Sequence, residues 1–215
     1  GDVADKMVEC VQQRDGLLTK EDLTTCTAKQ RPVVRGSFMG YDIVSMSPPS
    51  SGGSHIIQML NILENFDIKS MGHNSADYLH VLCETIKLMF ADRSVAMGDP
   101  DFVKVDVERI ISKEYAKECA GRIRMDRAQE YTAPEGLEAK EYQGNTTHFS
   151  IVDKDGNMIA QTQTVRSYWG SSVMCDGYGF IMNNAMSDFS AKVGVLTTQG
   201  LSYGTANGIE GGKTP

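Results

Sequence analysis

Residues 147–165 read as two strands folded back on one tight turn, and that turn constrains the chain more than any other feature. Thr147 to Val152 is rich in β-branched and aromatic residues, Asp153-Lys154-Asp155-Gly156-Asn157 has turn composition, and Met158 to Val165 reads as the return strand. Pairing the strands about Asp155 sets Thr146 opposite Thr164 at the open end of the hairpin. A slip of one residue stays open, because strand register is set by packing as well as by the turn. The stretch from Gly144 to Thr164 carries four threonines, at 146, 147, 162 and 164. Threonine is a good strand former, so hydroxyls here have a structural explanation to begin with.

The chemical explanation needs a base. A threonine hydroxyl is a poor nucleophile unless a neighbouring group takes its proton. Cutting the chain just before the threonine supplies one, since the freed α-amine sits beside its own hydroxyl. That solution needs an exposed segment running directly into a strand. Thr146 has this setting, and so has Thr147; composition does not choose between them.

The first 125 residues read as mainly helical. Apolar residues at 3, 4, 7, 8 and 11 give a helical stripe over Asp2 to Gln13, and Thr19 with Glu21-Asp22 opens a short helix. Pro32 to Val44 is strand-like, with glycines between its β-branched and aromatic residues. Ser47 to His55, "SPPSSGGSH", breaks regular structure before a helix from about His55 to Phe66. A long helix is expected over about Ser75 to Met97, stopped at Asp99-Pro100, and a shorter one over Ser112 to Gly121. Asp126 to Gly144 reads as an exposed linker, and the texture changes near residue 140. Beyond it, "GFIMNN" is expected to form another strand, which "MSDFS" leaves.

Composition excludes several classes. With 40% hydrophobic and 23% charged residues the chain has the balance of a globular protein. No apolar run approaches the ~20 residues of a membrane-spanning helix, and the first residues lack the basic-then-apolar order of a signal peptide. A net charge of -7 argues against nucleic-acid binding, which needs a basic footprint. The five cysteines, at 10, 26, 83, 119 and 175, have no metal-site spacing. They read mainly as buried or free thiols, with one disulfide left open. The four histidines are too scattered for a metal site, and His148 reads as a strand residue rather than a base. "SPPSSGG" lacks the GxxxxGK[ST] pattern of a phosphate loop. "NTT" fits a glycosylation acceptor, but a sugar there would obstruct cleavage.

"TTHFSIVDKDGNMIAQTQT" followed by "GFIMNNAMSDFS" closely resembles the γ-glutamyltranspeptidase (glutathione hydrolase) family of N-terminal-nucleophile hydrolases. "GLLTKEDL", "MSPPSSGG" with "QMLNILE", and "FADRSVAMGDPDFV" are similar to family segments in the same order, so the resemblance spans essentially the whole chain. It implies an α+β fold, part of the αββα four-layer sandwich. It implies autocatalytic cleavage of a zymogen between Asn145 and Thr146. Residues 1–145 would then end a large subunit and residues 146–215 begin a small one. Thr146 matches the nucleophile, Thr164 the threonine that orients it, and Asp188 the carboxylate that holds the substrate's α-amino group. Thr162 has no assigned role. The implied substrate is a γ-glutamyl amide such as glutathione, with water, an amino acid or a peptide as acceptor and no metal or organic cofactor. The two pieces would stay together as a heterodimer. Family members are often periplasmic, secreted or on the cell surface.

Two positions depart from the family pattern. Ala185 stands where Glu or Gln is usual, and Arg166 where Asn is usual. Both changes fall where the glutamyl α-amino end would be gripped. Arg166 either points to solvent or faces the substrate, where it would repel an ammonium and suit a carboxylate. The alternative readings are thus a related amidase or acylase with altered acyl specificity, or a non-catalytic scaffold. The family segments that supply the oxyanion hole and bind the α-carboxylate have no counterpart within these residues, so the chain reads as a central fragment.

Overall fold

The computed structural model describes residues 1–131, 145–190 and 204–215. In chain order the elements are α1 (Asp2–Gln12), α2 (Lys20–Thr25), β1 (Val34–Phe38), β2 (Tyr41–Ser45), α3 (Gly52–Leu63), α4 (Ile68–Met71) and α5 (Ala76–Ala96). There follow α6 (Val107–Ile110), α7 (Lys113–Arg122), β3 (Asn145–Val152), β4 (Met158–Arg166), β5 (Met174–Cys175) and β6 (Phe180–Ile181), with 3-10 turns at Ala185–Asp188 and Thr205–Asn207. The strands pair antiparallel as β1–β2, β3–β4 and β5–β6. The described residues fall into two compact units. One takes residues 1–30 and 145–186; the other takes 31–131, 187–190 and 204–215.

The helices stand close to where capping chemistry puts them. Thr19 and Asp22 form a reciprocal capping box at α2: the Asp22 N–H donates to Thr19 Oγ1 at 3.2 Å and the Thr19 N–H to Asp22 Oδ2 at 2.8 Å. Ser75 and Ser112 cap α5 and α7 by accepting the N–H of Tyr78 and Tyr115, each at 3.1 Å. The strand-like stretch from Pro32 is a hairpin rather than one strand. Met39 and Gly40, with φ of 49° and 86°, make the two-residue turn whose positive φ values match the twist of paired strands. α3 begins at Gly52, three residues before the expected start at His55. The glycines there are not breakers: a Cβ on Gly53 would sit 2.1 Å from the Met46 carbonyl oxygen, so only glycine lets the helix start this close to the end of β2.

In the second unit α3, α5 and α7 meet over Ile62, Leu88, Ala116, Cys119 and Ile123. Tyr131 joins the same core at 8% exposed, which corrects the expected exposed linker at that residue, while Asp126, Arg127, Ala128 and Glu130 are exposed as expected. The reason is local. Arg122 and Lys87 lie over the Tyr131 ring, and Glu84 accepts the Gln129 N–H, so residues 129–131 are pinned to α5 and α7. Burial, with Glu84 adding to it, pushes the Tyr131 hydroxyl up to about 12. Residues 132–144 of that expected linker lie outside the described residues.

Asp92 near the end of α5 and Asp99 just beyond it both make inward contacts. Asp99 is fully buried and accepts from Arg31 at 3.2 Å, the Asp101 N–H at 3.1 Å and the Thr214 N–H at 2.9 Å. Burial opposes its ionisation, yet the Thr214 and Asp101 N–H groups outweigh it and hold the carboxyl below its ordinary value. The stretch 204–215 is thereby held to the end of α5, where Gly204 N–H also meets the Ser94 carbonyl at 3.2 Å.

Asp92 closes a polar chain that starts at buried His55 and Gln58. His55 Nδ1 lies 2.8 Å from Gln58 Oε1, Gln58 Nε2 donates to Asp92 at 2.5 Å, and the Tyr115 hydroxyl donates to Asp92 at 2.8 Å. His55 is 2% exposed, and burial holds its pKa below the ordinary 6.5, with Gln58 opposing and Arg93 adding to the depression. The folded protein therefore resists protonation that the unfolded chain accepts. This contribution to stability is complete above about pH 6.5 and is lost as pH falls below it toward the folded value. Thermal melts from about pH 7.5 to about pH 5 are expected to fall more steeply for the native protein than for His55→Gln. Parallel curves would show that His55 carries none of the dependence.

Candidate active site

The hairpin β3–β4 supports the site. Asp153 organises its turn by accepting the N–H groups of Asp155 and Asn157, each at 2.9 Å, while Gly156 takes the left-handed φ of 83°. From there the register runs Val152↔Met158, Ile151↔Ile159 and so on to His148↔Thr162, Thr147↔Gln163 and Thr146↔Thr164. Pairing about Asp155 had placed the same two threonines together. Because side chains alternate along a strand, Thr146 shares a face with Thr164, His148 and Thr162, whereas Thr147 lies on the other face with Gln163.

The ladder breaks at one place. Asn145 pairs with Arg166 while Thr146 pairs with Thr164, so Val165 is a bulged residue opposite the Asn145–Thr146 peptide bond. Arg166 adopts φ of +77°, a left-handed conformation that costs a non-glycine residue energy and persists only when neighbours impose it. The neighbours are identifiable. Thr164 Oγ1 accepts the Arg166 N–H at 2.8 Å. Asn184 then clamps the next residues: its N–H donates to the Val165 carbonyl at 3.3 Å, its Oδ1 accepts the Ser167 N–H at 3.0 Å and its Nδ2 donates to Ser167 Oγ at 2.8 Å. Asn184 was not singled out from sequence; its signal was the Asn pair within "GFIMNNAMSDFS".

β6 lies in that segment but spans only Phe180–Ile181, shorter than "GFIMNN" suggested. Its continuation is carried by single bonds, from Met182 N–H to the Val173 carbonyl at 2.8 Å and from Ser171 N–H to the Met182 carbonyl at 2.9 Å. Gly170 permits this return, since a Cβ there would lie 2.2 Å from the Met182 carbonyl oxygen.

Thr146 and Thr164 are both exposed on the hairpin. Arg166 is 6% exposed, so its side chain does not extend into solvent. His148 has its ring nitrogens 2.7 Å from Thr162 Oγ1 and 3.2 Å from Ser150 Oγ. A neutral imidazole donates from one and accepts at the other, which ties the ring along its own strand face. Asp188 belongs to the second unit, where it is half-buried and its backbone carbonyl accepts from Asn207 Nδ2 at 2.8 Å. Among the described residues no group of three His, Cys, Asp or Glu side chains is arranged to hold a metal ion. No described helix is long and apolar enough to cross a membrane.

Known proteins match this chain along its length. A family model for gamma-glutamyltranspeptidase matches residues 1–215. The glutathione hydrolase proenzyme of Escherichia coli (strain K12) is 44% identical over 216 residues, covering all of this chain and 37% of that protein. The crystal structure of Helicobacter pylori gamma-glutamyltranspeptidase superposes with a TM-score of 0.59 at 40% identity, covering 66% of this chain and 42% of that one. The cephalosporin acylase of Bacillus halodurans superposes with a TM-score of 0.78 at 26% identity, covering all of this chain and 36% of that one. The chain thus spans little more than a third of the Escherichia coli relative's length. With helices and paired strands mixed along it, the fold is α+β, like that of these N-terminal-nucleophile hydrolases. The chain belongs to the gamma-glutamyltranspeptidase family.

Proposed function

We propose that the protein to which this chain belongs is an N-terminal threonine hydrolase that cleaves itself between Asn145 and Thr146 and then transfers or hydrolyses γ-glutamyl amides. The observation that carries the reading is the Thr146–Thr164 pair, with the Val165 bulge opposite the bond to be cut. Hydrolysis of that bond leaves a carboxylate on Asn145 and an α-amine on Thr146. The amine takes the hydroxyl proton as Thr146 Oγ attacks the amide carbonyl, and returns it to the departing amine. An ester remains on Thr146. Water or an acceptor amine then releases the acyl group. Thr164 orients the nucleophile, and Asp188 holds the substrate's α-ammonium by a charge-assisted bond. No metal or organic cofactor enters these steps.

Residues 1–145 and 146–215 are then the adjoining parts of a large and a small subunit in an αββα four-layer sandwich. Contacts such as Asp99 with the Thr214 N–H support their remaining together after cleavage. Intact mass of the full-length protein tests the reading. Two pieces parting between Asn145 and Thr146, with turnover of a γ-glutamyl anilide, are expected. A single uncut mass would favour a scaffold without enzyme function.

A second reading rests on Arg166, a buried residue next to the bulge, and on Ala185, which offers an ammonium no polar side chain. Arg166 would bind a carboxylate on the acyl group, as in an acylase for glutaryl-like amides. The likeness to the cephalosporin acylase supports it. Side-by-side hydrolysis of γ-glutamyl and glutaryl anilides decides between the two. On the acylase reading, Arg166→Asn shifts the kcat/KM ratio toward the γ-glutamyl substrate by roughly 10- to 100-fold, the worth of one charge-assisted bond. A clear γ-glutamyl preference in the native protein removes this reading.

A further inference from the structure

Two cysteines meet inside the first unit. Cys10 lies in the last turn of α1 and is 1% exposed; Cys175 ends β5 and is fully buried. α1 packs against β5, and Cys10 and Cys175 are the buried residues that the two elements contribute. Both are thiols in this structure. The other cysteines have different surroundings: Cys26 and Cys83 are exposed, and Cys119 sits in the core of the second unit beside Tyr115. Cys10 precedes Thr146 in the chain and Cys175 follows it.

The local chemistry bears on when such a pair can react. Burial pushes the Cys175 thiol above its ordinary value, the adjacent Cys10 adds to the rise, and Lys6 opposes it. Exchange requires a thiolate and access for a partner disulfide, and the folded unit restricts both. The state the pair holds is therefore chosen while α1 and β5 come together and is protected afterwards.

We propose that Cys10 and Cys175 are a disulfide-forming pair that joins the segment before Thr146 to the segment after it when the protein folds in an oxidising compartment. The oxidant is an external disulfide, small-molecule or protein. One cysteine thiolate attacks it, forms a mixed disulfide and expels a thiol. The second cysteine thiolate attacks the cysteine sulfur of that mixed disulfide and expels the second thiol. Two S–H bonds are lost from the protein, one S–S bond forms, and two electrons and two protons leave on the two released thiols. In a reducing compartment the same residues stay thiols and pack as small apolar side chains. The joining of two separate polypeptides rests on the cleavage proposed above; the sulfur–sulfur bond does not.

The test uses the full-length protein expressed into an oxidising compartment and purified without reductant. It is unfolded in iodoacetamide and digested, and its peptides are weighed. A peptide pair joining Cys10 to Cys175, lighter than its parts by two hydrogens and lost on reduction, is the expected result. Recovery of both cysteines as separate alkylated peptides overturns the proposal. Electrophoresis reads the tether: one band without reductant and two with it. One band in both lanes with the joined peptide present supports the disulfide and counts against cleavage alone. Two bands in both lanes overturn the tether. Cys10→Ser is expected to remove the joined peptide and leave Cys175 open to alkylation; a joined peptide surviving in that variant would assign the bond to another partner.

Discussion

A full-length Thr146→Ala protein is expected to run as one uncut chain and to lose amide turnover by on the order of 10⁴-fold or more, the scale on which removing a covalent nucleophile acts. The alanine keeps the strand and its ladder but has no hydroxyl to attack Asn145 or a substrate, and without cleavage no α-amine is freed. Thr146→Ser restores a hydroxyl and is expected to recover part of both activities. Thr147→Ala is the informative control. Thr147 lies on the opposite face of the hairpin, paired with Gln163, and its loss should leave cleavage intact. A Thr146→Ala chain still cut at the same bond would remove Thr146 from its proposed role.

Thr164→Val is expected to slow both cleavage and turnover, by on the order of 10²-fold in kcat, the cost of displacing a reacting group by about an ångström. Valine has nearly the shape of threonine, so the strand is preserved. What disappears is the hydroxyl that accepts the Arg166 N–H and stands across from Thr146. Without that acceptor the left-handed Arg166 loses one of the contacts that impose its conformation, and the bulge opposite the Asn145–Thr146 bond loosens. Thr164→Ser should restore the rate. A structural contribution alone would lower the melting temperature and leave kcat of the cleaved enzyme unchanged, and that outcome would sink the proposed orienting role.

Much of this was legible along the chain. Asp153 and Gly156 define a turn by local hydrogen bonding and positive φ, so the hairpin followed from a few adjacent residues, with its register open by one until the folded ladder fixed it. Ser75, Ser112 and Thr19 marked helix starts for the same local reason. The family was legible because several motifs recur in order. Where reading failed, distant residues decided the outcome. Tyr131 looked solvent-facing within a polar stretch, but Arg122, Lys87 and the core of α3, α5 and α7 take it inside. The glycines before His55 looked like breakers, but the Met46 carbonyl needs the space they leave.

The candidate site divides along the same line. By itself the sequence determined the turn and brought Thr146 and Thr164 to the open end of the hairpin to within one residue of register, with the two-residue period of a strand separating neighbours by face. The same alternation sends Thr147 to the other face once the register is known. Only the tertiary structure decided the bulge at Val165, the left-handed Arg166 and its burial. The physical reason is competition for backbone groups. The Arg166 N–H goes to a side chain two residues back, while the Val165 carbonyl and the Ser167 N–H go to Asn184, far along the chain. A strand pattern carries no record of such partners until the chain has folded and brought them within reach.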